Sequence, residues 1–516
     1  MAFARVYSAQ TELLNGRIVS VEIDTARGLN NFTIVGLGDR AVDEARDRVG
    51  SALKNSGFES PKTKNQKTVV SLSPADIKKE GSHFDLSIAV GFLIAEGLVL
   101  NESLDKSIFV GELGLDGEVR QVRGVLAIAL AAKDAGFKTI YIPEINKEEA
   151  SLVKELAIFP VKNLKQIIEH IKKDESGNRP TIAEYIPNEE NATPVIIDAD
   201  FGDIIGQESA KRGLMIAASG GHNVLLYGPP GTGKTMLARA LAGILPTLDK
   251  EKAIEVTKIQ SIAGTLPKGA LTYTAPFRSP HHTSSYVSVI GGGTFPRPGE
   301  VTLAHHGVLF LDEFPEFDRR VIESLREPLE EQKVSIARAK GSALFPADFL
   351  FVGAMNPCPC GYKGSKVKSC TCTMSDLVKY KRKLSGPLLD RIDIALYVGE
   401  IAYDKLAKGG GNPESEKIRT QVEHIRTHAY NRAMKIGIHA KLNGSLKSKE
   451  LPLVAPLTKE AEAILNQSAE RLGLSARSYH RTQKLARTIA DIEGSENILP
   501  EHILEAIRYR PTFEQF

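Results

Sequence analysis

Over the first 173 residues, short strand-like runs alternate with stretches of helical spacing. Strands are predicted at Arg17–Ile23, Asn31–Val35 and Lys67–Leu72, and helices around Ala41–Ser56 and Phe84–Glu96. This alternation predicts an α/β or α+β domain that folds alone. From Asp174 to Asp200 the stretch DESGNRPTIAEYIPNEENATPVIIDAD is rich in Pro, Asn and acids without a sustained period, as in a linker. Apolar runs then return as candidate buried strands at Val224–Tyr227, within GVLFLDE (Gly307–Glu313) and from Asp348 to Ala354. Beyond Val398 the chain loosens at Lys408–Pro413 and then reads as helices at Glu416–Lys435, Thr458–Leu472, Ser475–Glu493 and Pro500–Tyr509. The resulting segments are 1–173, 174–200, 201–398 and 399–516.

One junction carries chemistry. The apolar run Val224–Tyr227 leads into the turn Gly228, Pro229, Pro230, Gly231, Thr232, Gly233, then Lys234 and Thr235, then an Ala/Leu-rich helix. Strand, glycine turn and helix in this order predict a phosphate-binding loop. Its backbone N–H groups would cradle an anion where the helix dipole adds positive potential. Lys234 would reach the β- and γ-phosphates of ATP, and the Thr235 hydroxyl would hold Mg²⁺. Downstream, Asp312 and Glu313 end an apolar run, where one carboxylate would serve the Mg²⁺ shell and the other would polarise water. Asn356, at the tip of the third run, suits a contact to the γ-phosphate or its water, although Asn before Pro is also an ordinary turn former. Arg391 lies between acids in SGPLLDRIDIAL and by composition reads as an internal ion-pair residue.

Composition narrows the setting. With 516 residues, 42% apolar, 25% charged and a net charge of +3, the chain has room for about three globular domains, and any nucleic-acid binding must come from local patches. MAFARVYSAQTELL lacks a signal-peptide core, and the apolar run Leu86–Leu100 is too short to span a bilayer, so a cytoplasmic, non-membrane protein is expected. All four cysteines fall in one cluster, Cys358, Cys360, Cys370 and Cys372. Two C-x-C pairs can surround one structural Zn²⁺, with free buried thiols or a redox pair as the alternatives. The stretch Lys333–Pro346 predicts a β-hairpin turning at Lys340-Gly341-Ser342, with Arg338 and Lys340 near its tip. Thr257–Glu300 reads as a long insertion whose adjacent His281 and His282 would point to opposite sides of extended chain. Arg477, Arg481, Lys484 and Arg487 recur at helical spacing, for ATP in part and for a solvated face in part.

Two resemblances add to this. KKEGSHFDLSIAV (Lys78–Val90) with Gly111–Pro143 resembles the Lon-type proteolytic (S5-like) domain and its relative in RadA-type recombination ATPases. His83-Phe84 and Leu126 stand where Lon carries its Ser and Lys, and Ser82 has no evident base, so a scaffold or DNA-contacting domain is expected instead of a protease. GPPGTGKT, FRSPHH, GGGTFPRPGEVTLAHHGVLFLDEFPEF, AMNPCPCG, SGPLLDRID and LSARSYHRTQKLARTIADIEG together resemble the magnesium-chelatase-like AAA+ ATPases, most closely the ComM/YifB group. The resemblance implies an α/β P-loop AAA+ domain with a helical lid, assembled as a homo-hexamer with ATP at subunit boundaries. Arg391 becomes the arginine finger for a neighbouring subunit. Arg477 becomes the second sensor, with Arg481 as the competing choice. Hairpins in this clade face the central channel, so Arg338 and Lys340 would meet single-stranded or branched DNA. The implied activity is DNA branch migration or helicase action during recombination of incoming DNA in natural transformation, with recombination proteins as partners. A chelatase-type or protein-remodelling motor is the alternative, and an ATP-dependent protease is a third.

Overall fold

The structure, a computed structural model, describes residues 2–61, 63, 65–99, 104–172, 182–187, 199–266, 271–293, 296–338, 341–365, 368–384, 386–401, 412–440 and 442–511. The chain divides into two compact units, one of Met1–Thr193 with Thr257–Thr272 and one of Pro194–Val256 with Tyr273–Phe516.

The first unit is built on a seven-stranded mixed sheet. Its order is Asn31–Val35, Gln66–Ser73, Asn15–Arg27, Ala2–Glu12, Ser107–Phe109, Thr139–Pro143 and Ala157–Val161. The two long central strands pair antiparallel along their length, and inward positions such as Val19, Val21 and Ile23 alternate with more accessible ones. That alternation is expected of a sheet with one face packed on the core. Against it lie helix Arg40–Asn55, whose first turn is capped by the Asp39 carboxylate accepting from the Val42 N–H at 3.0 Å, and helix Asp85–Ala95, which is apolar all round and buried. Part of the expected linker also belongs here. Ile182 is buried, and the Tyr185 N–H donates to the Ile158 carbonyl at 2.8 Å. The expected insertion begins inside helix Lys250–Ala263, and Thr257–Thr272 groups with this unit.

The second unit carries a five-stranded, all-parallel sheet in the order Phe277–Arg278, Val308–Leu311, Leu350–Met355, Val224–Tyr227 and Ile394–Tyr397. Leu350–Met355 is buried at every position, as is Val308–Leu311. Strands with both faces covered need such unbroken apolar runs. The C-terminal helices are Ser415–Lys435, Lys459–Leu472, Ala476–Ile492 and Pro500–Arg508, each within two residues of its predicted ends. Ser475 caps the third, accepting from the Ser478 N–H at 3.2 Å. The first and third pack on helix Glu208–Gly220 beside the sheet. No helix among the described residues is long and apolar enough to cross a membrane.

Candidate functional site

The carboxyl ends of three adjacent strands bring the predicted residues together. Gly228 follows strand Val224–Tyr227 so closely packed that a Cβ on it would lie 2.0 Å from the Val398 carbonyl oxygen, and Gly233 turns into helix Lys234–Gly243 at φ +90°. Only glycine serves at both places. The Thr232 hydroxyl donates back to the Pro229 carbonyl at 2.9 Å and closes the loop. Lys234 Nζ donates to the carbonyls of Gly228 and Pro229, each at 2.8 Å, and to Asn356 Oδ1 at 3.2 Å. Burial lowers its pKa. The Thr235 hydroxyl donates to Asp312 Oδ2 at 2.9 Å, while Asp312 Oδ1 accepts from the Glu313 N–H at 2.9 Å. Two hard oxygen donors side by side suit Mg²⁺. Glu313 has a left-handed backbone at φ +50°, and its carboxylate lies 3.1 Å from His282 Nδ1. Sequence reasoning missed that contact. His281 and His282 do not diverge as on extended chain; the backbone turns there, and the rings lie side by side, tilted by 33° with centroids 4.2 Å apart.

The four cysteines converge directly behind Asn356. Cys358 Sγ lies 3.4 Å from Cys360 Sγ and 3.7 Å from Cys370 Sγ, and Cys360 and Cys370 are 3.6 Å apart. The Cys360 N–H donates to Cys372 Sγ at 3.4 Å, and the Lys363 N–H to Cys358 Sγ at 3.3 Å. A tetrahedral Zn²⁺ with Zn–S bonds of about 2.3 Å needs sulfurs about 3.8 Å apart, so the donor set fits zinc. The backbone N–H groups of Tyr362 and Thr371 draw the Cys360 thiol down to about 5. The cluster abuts the phosphate-loop candidate, since a Cβ on Gly361 would lie 3.0 Å from Pro230 Cδ. Beyond it, helix Met374–Lys383 sends the Tyr380 hydroxyl back to donate to the Asn356 carbonyl at 3.0 Å.

The candidate arginines lie elsewhere. Asn223, the residue before strand Val224–Tyr227, donates through its side chain to the Arg391 carbonyl at 3.0 Å and accepts from the Phe351 N–H at 3.0 Å. Arg391 is therefore at the amino ends of the parallel strands, about 13 Å of strand from the phosphate-loop end. It is buried, hydrogen-bonded to the Pro387 carbonyl at 2.5 Å and ion-paired with Glu330. Arg477 binds the other oxygen of that same Glu330. Burial opposes ionisation of Glu330, but the two arginines outweigh it and hold the carboxyl below its usual range. Arg481 instead pairs with buried Asp393 at 2.7 Å, Lys484 donates to the Gly444 carbonyl at 3.1 Å, and Arg487 is wholly buried against Asp491. The stripe is thus divided: Arg477 remains 39% exposed, whereas Arg481 is held by buried Asp393 and Arg487 lies wholly buried among the C-terminal helices. Arg338 closes strand Lys333–Arg338 opposite Gly341, so Gly341 and Ser342 belong to the returning strand Gly341–Pro346. Lys340 and the side chain of Arg338 fall outside the described residues.

Two further groupings were not legible in the sequence. Glu255 Oε2 lies 3.2 Å from His305 Nε2 and 2.8 Å from His306 Nε2, a spacing that would admit a metal. The Asp348 N–H, however, donates to His305 Nδ1 at 3.0 Å, which leaves the proton of the neutral ring on Nε2 and no lone pair there for a metal. Burial, with His306 beside it, lowers His305 to about 4 and keeps it neutral. The cluster is a hydrogen-bonded clamp at the foot of strand Val308–Leu311. In the first unit, Ser82 does have a partner, donating to Glu112, while the buried Nε2 of half-buried His83 has no partner among the described residues and the Leu126 N–H binds Glu149.

Comparison with known proteins gives the family. The family "Magnesium chelatase, subunit ChlI" matches residues 200–406, "Subunit ChlI of Mg-chelatase" residues 21–146, and "Magnesium chelatase, subunit ChlI C-terminal" residues 412–510. Competence protein ComM of Haemophilus influenzae is 39% identical over 512 residues, covering 99% of this chain and 98% of that protein. YifB of Escherichia coli is 38% identical over 512 residues, covering 99% and 97%. The magnesium-chelatase 67 kDa subunit of Chlorobaculum tepidum is 30% identical over 163 residues, 30% of this chain and 23% of that one. Near-complete coverage at this identity establishes the relationship: the chain belongs to the ComM/YifB family of magnesium-chelatase-like AAA+ ATPases.

Proposed function

We propose that the chain is a Mg²⁺-dependent ATP hydrolase that works as a homo-hexameric ring on single-stranded or branched DNA, driving branch migration during recombination of incoming DNA. The observation that carries this is the division of the reaction's parts between opposite ends of one sheet. Lys234, Thr235, Asp312, Glu313 and Asn356 gather at the carboxyl ends, and Arg391 with Arg477 at the amino ends. One subunit then offers a phosphate site at one edge and arginines at another, which suits a ring in which each site is completed by its neighbour.

Phosphate oxygens would take the Lys234 ammonium from the loop carbonyls. Thr235 and Asp312 would hold a Mg²⁺ ion, which would supply neutralisation of phosphate charge. Glu313, once released from His282, accepts a proton from the attacking water, whose oxygen bonds the γ-phosphorus as the bond to the ADP oxygen breaks. Asn356 orients that water. Arg391 from the adjacent subunit stabilises the charge on the transferred group, and Arg477 joins it as the second sensor, Arg481 being committed to Asp393. Support for DNA comes from the basic hairpin and from the competence name carried by the Haemophilus influenzae relative. The first unit, with His83 and Leu126 where a Lon-type pair would stand, fits a scaffold better than a protease.

Steady-state ATP turnover should rise with single-stranded or four-way-branched DNA and be absent in Lys234→Ala. A rate indifferent to every DNA, from protein that forms rings, removes the DNA assignment. It would shift weight to the chelatase-type reading, which the Chlorobaculum tepidum relative favours.

The cysteine cluster is read as a structural zinc site. Purified protein is expected to hold about one zinc per chain by elemental analysis. Four freely titrating thiols and no metal in native protein would refute this.

A further inference from the structure

Glu330 binds both candidate arginines at once, Arg391 on Oε2 and Arg477 on Oε1. One negative charge faces two positive ones, so the group keeps a net positive charge that a single carboxylate cannot satisfy. Arg391 Nε is buried and has no acceptor among the described residues. Its set of contacts is therefore incomplete within one subunit, although a buried N–H ordinarily finds a partner. A phosphoryl group presents more oxygens and more charge than a carboxylate in a similar span, and guanidinium forks match both. Glu330 thus occupies, between two arginines, the place that a nucleotide phosphate would take.

Its position in the chain adds a second link. Glu330 is in the last turn of helix Arg326–Glu331, and the hairpin begins two residues after that helix, at Lys333. The intervening Gln332 has a left-handed backbone at φ +54°. Its carbonyl accepts from the Ala347 N–H at 2.8 Å, and its side-chain amide donates to Asp348 Oδ1 at 3.0 Å. Both strands of the hairpin are therefore anchored at the residue next to that helix. A force on the hairpin reaches Glu330 through a short, hydrogen-bonded path.

We propose that Glu330 is a positioning residue that joins Arg391 and Arg477 into one two-armed anion clamp. It withholds the clamp from the neighbouring subunit until nucleotide phosphate displaces it or a ligand on the hairpin draws it away. The proposal rests on the reading that these arginines serve an adjacent ATP site, and it gives that reading a control element.

The test uses the full-length protein under conditions where rings form, with MgATP and no DNA. Glu330→Gln keeps the shape and removes the charge. Its basal kcat is expected to rise about tenfold, the equivalent of one charge-assisted hydrogen bond, with KM changed by less than about twofold. Glu330→Asp, with shorter reach and the same charge, should fall between Glu330→Gln and wild type. Adding Arg391→Ala to Glu330→Gln should abolish the gain. A single-stranded oligonucleotide should then stimulate Glu330→Gln less than wild type. A basal kcat at or below wild type in Glu330→Gln, with an unchanged unfolding midpoint, overturns the proposal. If Glu330→Gln does not fold, Glu330→Asp decides by the same criterion. The basal rate does not involve DNA, so a failed DNA assignment leaves this test intact. Whether the arginines act across subunits is measured separately by mixing subunits.

Discussion

Arg391→Ala is expected to lower kcat for ATP hydrolysis by about 10³-fold or more, the range typical of an arginine finger. The defect should persist at saturating ATP, because the residue acts on charge that develops during transfer and not on ground-state binding. Its distinctive signature comes from mixing. Arg391→Ala subunits carry an intact Lys234, and Lys234→Ala subunits carry an intact Arg391. Each preparation alone should show little or no turnover. In mixed rings some interfaces join the intact Lys234 of one subunit to the intact Arg391 of the next, so activity should reappear. If both residues served the same subunit's site, no mixture would recover activity, and the division of labour between the sheet's two ends would be wrong.

The second large effect concerns stability. Asp491→Ala is expected to destabilise the second unit by about 3–5 kcal/mol, the usual consequence of removing one partner of a buried ion pair. Asp491 has no exposed side-chain surface and holds two guanidiniums, those of Arg432 and the wholly buried Arg487. It also accepts from Asn443 Nδ2 at 2.8 Å. Arg487 has further acceptors in the carbonyls of Ser495 at 2.5 Å and Glu496 at 2.6 Å, but these carry no net charge. Without Asp491, two cations face each other in a desolvated setting. Calorimetry should therefore show the corresponding transition at markedly lower temperature. A shift equivalent to less than about 1 kcal/mol would mean that the carbonyls alone suffice.

The nucleotide-site candidates were legible because each part is local. A four-residue apolar strand, a glycine turn and a helix lie in one stretch, and the second and third strands each end in their polar residue. The C-terminal helices were legible for the same reason: their spacing and caps are contiguous. Pairings over long sequence separations left no such trace. Glu330 meets Arg391 and Arg477 from 61 and 147 residues away. Likewise, nothing periodic marks His282 for Glu313 or Glu255 for the His305–His306 pair. The stripe from Arg477 to Arg487 misleads in a different way. Basic residues at helical spacing are normally exposed, yet here Asp393 draws Arg481 inward and Asp491 permits the burial of Arg487. The hairpin turn was misjudged by about one residue because Gly341, a plausible turn former, pairs with Arg338 instead.

Asn223 gives strand Val224–Tyr227 a mechanical meaning. Its backbone N–H binds Asp393 Oδ2 at 3.0 Å, its carbonyl accepts from the Asp393 and Ile394 N–H groups at 3.0 and 3.1 Å, and its side chain holds the Arg391 carbonyl and the Phe351 N–H. Five residues after Asn223 the same strand passes into the candidate phosphate loop at Gly228. On the reading proposed above, the strand is a strut about 13 Å long, with the candidate phosphate loop at one end and the backbone of Arg391 at the other. In the proposed ring such struts would alternate with interfaces. A displacement at one phosphate site would then reach the next along paired strand, which would favour firing in sequence around the circle over independent turnover at each site.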